Sequence, residues 1–142
     1  MLRRALALVA VMTSLAGCVD APSAAPDETS FASAPLQTIT SSSGRLNIQL
    51  RWSPPTPVKG ENAVELTFLD AQGVAVDGLD ATVVPWMPAH GHGTSVQPET
   101  TTSATGALIA SPLYLYMSGQ WQLRLTITGG VDDAAVADVQ IP

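Results

Sequence analysis

At 142 residues, 46% hydrophobic and 13% charged, the chain has room for one ordinary domain and not two. Twelve acidic residues against six basic ones, a formal net charge of −6, make nucleic acid and anionic lipid headgroups poor partners for its surface and cations better ones. Its single cysteine excludes an internal disulfide, so stability has to come from a packed core.

Arg3 and Arg4 precede an apolar run from Ala5 to Met12, and small residues follow. A charged start, a short apolar stretch and a small-residue cleavage site read as a secretory signal over residues 1–17, not as a spanning helix, which needs about 20 apolar residues. Leu15-Ala16-Gly17-Cys18 resembles the lipobox of bacterial lipoproteins, whose cysteine thiol takes a diacylglyceryl group before cleavage on its N-terminal side. The resemblance implies lipidation at Cys18, with palmitate-type chains, and a mature protein held in the cell envelope. Cleavage there leaves Arg45, Arg51, Lys59 and Arg124 against all twelve acids, a net charge of −8. Each buried methylene contributes about 0.8 kcal/mol, and stable anchoring takes two hydrophobic signals, which a triacylated N-terminus exceeds. Val19 rather than aspartate follows the cysteine. In a two-membrane bacterium that favours the outer membrane, facing the periplasm.

Residues 18–44 are the lipidated cysteine and an Ala-, Pro-, Ser- and Thr-rich stretch without helical or strand period. They read as a disordered linker holding the domain about 25–30 Å from the bilayer at roughly 5–6 Å × √n. From Arg45 the pattern becomes alternation. Leu46, Ile48, Leu50 and Trp52 share one face, as do Val64, Leu66 and Phe68, and later Trp121, Leu123, Leu125 and Ile127. Such runs predict half-buried antiparallel strands. Weaker strands are expected at 81–84, 106–110, 113–117 and 135–141. Turn signals such as Asp70-Ala71-Gln72-Gly73 and Gly129-Gly130 separate them. Residues 45–142 are therefore expected to form an all-β domain, a small immunoglobulin-like antiparallel β-sandwich, with Trp52 and Trp121 in the core between the sheets. Glu61, Glu65, Asp70 and Asp77 are expected to be solvated.

One segment departs from alternation: Pro85-Trp86-Met87-Pro88-Ala89-His90-Gly91-His92-Gly93. It holds both histidines and one of the two methionines outside the signal. The other, Met117, lies in Met117-Ser118-Gly119-Gln120-Trp121. In an extended segment His90 and His92 project to the same side. Imidazole with thioether favours Cu(I), a soft ion. Gly91 and Gly93 admit backbone conformations that a side chain forbids. A Met87/His90/His92/Met117 copper site is one reading. The other is structural, with glycine-flanked histidines solvated at a loop tip and the methionines plugging the end of the sandwich.

The same residues carry a family resemblance. Lys59-Gly60-Glu61-Asn62 opening a strand, Asp70-x-x-Gly73, Met87-Pro88-x-His90-Gly91-His92-Gly93 and Met117-x-Gly119-x-Trp121 together resemble the YtkA-like domain family. That family is related to the FixH proteins associated with cytochrome oxidase assembly, which carry a membrane-spanning helix where this chain carries a lipobox. The resemblance implies an immunoglobulin-like sandwich and copper handling. No Ser/His/Asp order suggests a triad, and no glycine-rich phosphate loop lies between a strand and a helix. The expectation is a lipid-anchored, non-catalytic envelope protein, either a copper binder or carrier or a non-metal interaction module for an envelope protein partner. Its membrane contact is through the lipid, and it has no nucleic-acid partner.

Overall fold

The computed structural model describes residues 31–142. The signal segment, Cys18 and the start of the expected linker lie outside the described residues. Nine strands follow in chain order among the described residues: β1 (Gln37–Thr40), β2 (Asn47–Ser53), β3 (Gly60–Leu69), β4 (Asp80–Met87), β5 (His92–Gly93), β6 (Glu99–Ala104), β7 (Ala107–Leu115), β8 (Gly119–Thr128) and β9 (Asp133–Ile141). They form a five-stranded sheet in the order β1-β2-β3-β7-β6 and a four-stranded sheet in the order β5-β4-β8-β9. Every neighbouring pair is antiparallel. The all-β sandwich expected from alternation is the fold observed.

Alternation places the core as read. Leu46, Ile48, Leu50 and Trp52, then Val64, Leu66 and Phe68, face Trp121, Leu123, Leu125 and Ile127 across the sheets, all buried. Burying a side chain of this size contributes about 1.5–3 kcal/mol, so these rows dominate the stability of a domain without disulfides. The segments read as separate strands at 106–110 and 113–117 are one strand, β7, which ends at Leu115. Its ladder with β3 shifts between Asn62 and Val64, opposite Pro112, which has no N–H to donate.

Two expectations need correction. Part of the presumed linker belongs to the fold: β1 pairs with β2 over Thr40↔Asn47 to Gln37↔Leu50. The Ala32 amide donates to the Trp52 carbonyl at 3.0 Å and the Leu36 amide to Leu50 at 2.9 Å. Phe31 is buried with Ala63 and Ile109 on the outer face of the larger sheet. A four-residue edge strand with polar alternate positions has no apolar run to betray it. Its backbone hydrogen bonds to β2 are what order it.

The second correction is Glu65, expected in solvent and only 2% exposed. It stands opposite Arg51 in the β2–β3 register and opposite Ile109 in the β3–β7 register. Phe31 is buried on that same face with Ala63 and Ile109. The carboxylate accepts from Arg51 Nε at 2.7 Å and from its Nη2, and from the Ser103 hydroxyl at 3.3 Å. A buried carboxylate without such partners would be strongly destabilising.

The two ends of the sandwich differ. The β7–β8 link spans only residues 116–118 and crosses from one sheet to the other. It puts the end of β7 and the start of β8 at one end of the sandwich. Antiparallel pairing then brings the ends of β2, β4 and β9 and the start of β3 to the same place. The turns after β1, β3, β6 and β8 lie at the opposite end.

Candidate metal centre

All four candidate donors fall at the end of the β7–β8 link. Met87 is the last residue of β4 and, at 3% exposure, part of the core. Its carbonyl accepts from the amides of His90 at 3.1 Å and Gly91 at 3.0 Å, closing a tight turn into β5. Gly91 sits at φ +67°, where a side chain is strained. Gly93 is needed for a different reason: a Cβ there would come 2.4 Å from the Pro85 carbonyl oxygen. Its absence lets β5 lie flat on β4 and sets His92 directly opposite Met87. Opposed residues on antiparallel strands place their Cβ atoms about 5 Å apart on one face.

His90 lies in the turn and His92 in β5, so the pair does not share an extended strand as expected. The turn nevertheless brings both exposed rings together, with centroids 5.7 Å apart and planes inclined at 55°. Two imidazoles bound to one ion at about 2.0 Å have ring centroids about 5–6 Å apart for ligand angles between roughly 110° and 180°. The observed separation falls inside that range. His92 Nδ1 lies 3.0 Å from the Gly93 carbonyl oxygen. A carbonyl only accepts, so in the neutral ring Nδ1 carries the proton and Nε2 keeps its lone pair. This is the tautomer a metal-bound imidazole needs.

Met117 lies in the β7–β8 link, half-buried against the core. Its carbonyl accepts the Trp121 indole N–H at 2.9 Å, which fixes the link relative to the core. A Cβ on Gly119 would sit 2.9 Å from Met87 Cε, so the bare glycine makes room for the methionine tip. The Met-x-Gly-x-Trp spacing therefore has a local physical meaning. The methionine caps the end, the glycine receives Met87, and the tryptophan pins the turn. The fold brings Met87, His90, His92 and Met117 to one end, with the imidazoles exposed to solvent and Met87 buried.

Among the described residues no group of three or more His, Cys, Asp or Glu is placed to hold a metal ion. Besides the imidazoles, this end carries the thioethers of Met87 and Met117, soft donors suited to Cu(I). Asp80, the nearest acid before the histidines, starts β4 and so lies at the opposite end of the sandwich. Sequence reasoning missed two neighbours. The Arg124 guanidinium stacks 4.6 Å from the Trp86 ring centre on the outer face. Tyr114 and Tyr116 stack at 5.3 Å, nearly parallel, and the Glu61 carboxylate opposite Tyr114 is the chief cause that pushes its hydroxyl pKa above the ordinary value. The alternation of tyrosine with a core leucine in Tyr114-Leu115-Tyr116 was the available signal.

A family model described as YtkA-like matches residues 40–126, from the last residue of β1 into β8. No curated protein and no solved structure matches the chain.

Proposed function

Starting from the chain's membership of the YtkA-like family, we propose that it is a lipid-anchored envelope protein that holds or passes a copper ion and catalyses no reaction. The ion is cargo. His90 and His92 are its exchangeable donors, Met117 is the thioether nearest the surface, and Cys18 carries the lipid. The observation that carries this reading is the histidine pair: two exposed rings at 5.7 Å, one with its Nδ1 engaged by the Gly93 carbonyl so that Nε2 is the nitrogen left for an ion. A carrier needs only donors that can be loaded and unloaded from solvent, and an open end supplies that. Kinship with the FixH proteins and a place on the outer membrane facing the periplasm belong to the same proposal.

The burial of Met87 favours a second role for that residue. It plugs the sandwich, and it becomes a ligand only by turning outward past Gly119. In the alternative reading of the whole domain, a non-metal platform for an envelope partner, all four residues are structural.

The two readings separate in a titration of Cu(I) against a chelating competitor. The expected result is one ion per chain, lost in the His90→Ala/His92→Ala variant. Saturating copper at a hundredfold excess over Kd should stabilise the parent domain by about 2.7 kcal/mol and leave the double variant's melt unchanged. Absence of competition removes the copper reading and leaves the platform.

A further inference from the structure

The geometry points to a membrane-facing histidine end: the tethered domain turns the end that bears His90 and His92 toward the lipid surface without burying the rings in it. This rests on the lipid anchor proposed above and adds an orientation to it.

Three observations converge. The first is where the described chain begins. Backbone hydrogen bonds run from Leu36 to Leu50 and from Ala32 to Trp52, so the segment before β1 follows β2 toward its last residues. Phe31, buried against Ala63 and Ile109, is held near the start of β3. The chain therefore enters the sandwich at the histidine end. Thirteen residue steps separate Cys18 from Phe31, and even fully extended they span at most about 45 Å. Strands of ten residues such as β3 and β8 are about 33 Å long. Turning the domain over would make the chain run back along the length of the sandwich, using most of that reach.

The second observation is charge. Asp70, Asp77, Asp80, Asp132 and Asp133 all lie in or beside the turns of the opposite end, with Arg45 the cation among them, whereas the histidine end has Glu61 and, three residues in from the end of β9, Asp138 against Lys59. An anionic leaflet repels that end more strongly than the other. The third is the surface at the histidine end. The stacked Tyr114 and Tyr116 lie there, Tyr116 being 55% exposed, and Val58 of the β2–β3 connection at the same end is also exposed. Tyrosine is a residue of membrane interfaces, with an apolar body and a polar tip.

The test uses the lipidated full chain in phosphatidylethanolamine–phosphatidylglycerol vesicles whose headgroups carry an acceptor dye. Cys18 is consumed by lipid, so Ala89→Cys and Gln72→Cys each give one labelling site for a donor dye, at the histidine end and the opposite end. Energy transfer to the headgroups is expected to be several-fold stronger from position 89 than from position 72. Equal transfer, or stronger transfer from 72, overturns the orientation. Failure of the parent chain to float with the vesicles overturns the anchor, and the orientation with it. Copper competition on the same vesicles reads the metal site through a separate signal.

Discussion

The two ends of this sandwich use polar side chains in opposite ways. At the acidic end they are spent on the backbone. Asp70 Oδ1 accepts from the amides of Gln72 and Val74, both at 2.9 Å, and Asp77 accepts from Gly106. Asp133 takes the Ser43 amide and hydroxyl, while Arg45 Nη2 reaches the Asp132 carbonyl at 3.2 Å. At the other end, Asn62 locks the β2–β3 connection through Val58 and Gly60, but the histidines join no two elements, His92 reaching only the carbonyl of its neighbour Gly93. Asp70 serves its own turn, while the β1–β2 and β6–β7 turns are held by the carboxylates of Asp133 and Asp77 from neighbouring connections. The histidine turn is closed by the Met87 carbonyl instead, which leaves both rings to solvent. Side chains with no structural duty are the ones available for a ligand.

The largest expected effect contrasts two glycines. Gly129 has φ +91° and its Cβ would lie 2.5 Å from the Gly78 carbonyl oxygen, a backbone atom. Gly129→Ala should cost about 2–4 kcal/mol in urea unfolding, from backbone strain and overpacking together. Gly119 also has a positive φ, +119°, but its Cβ would meet only the flexible tip of Met87. Gly119→Ala should cost about 1–2 kcal/mol. Equal losses would erase the distinction between a locked end and a yielding one.

Removing polar side chains gives a smaller contrast. Asp70→Ala deletes the acceptor for two amides and should cost about 1 kcal/mol. His90→Ala/His92→Ala should change the stability of the copper-free protein by no more than about 0.5 kcal/mol. A double variant that melts as far below the parent as Asp70→Ala would mean that the histidines are structural after all.

Acid supplies the finest probe. Hydrogen bonds from Ser43, then Ser41, hold the Asp133 carboxyl well below the usual carboxylate range. A folded pKa depressed below the unfolded value of about 3.9 adds stability that is present above that pH. It is lost as pH falls below about 4 toward the folded value. Asp133→Asn should flatten the acid limb of the stability curve there and leave the limb above pH about 5 parallel to the parent. An unchanged slope below pH about 4 would show that the serine clamp contributes nothing to folding.

Much of this fold was legible because its central strands alternate. β2, β3 and β8 each have one face in the core, and period-2 burial writes itself directly into the residue order. β1, β5 and β6 left no such mark. Thr-rich β6, with Glu99–Ala104 largely exposed, and the two-residue β5 exist through pairing with β7 and β4. An edge strand's stabilisation comes mainly from its neighbour's backbone, which its own side chains do not record. Glu65 misled for the same reason. Nothing beside it in the chain announces Arg51 opposite, or Phe31 folded back over it from thirty-four positions away.

The candidate site divides along the same line. Residue types and local spacing, both properties of neighbours in the chain, sufficed to select Met87, His90, His92 and Met117 and to suggest a soft ion. Gly91 and Gly93 were likewise readable as permissive. Only the tertiary structure settled that Met87 turns inward onto Gly119, that the imidazoles turn outward as a pair, and that the chain enters beside them. Those facts depend on which strand ends meet when two sheets pack. That is set by long-range pairing, not by any local run of residues.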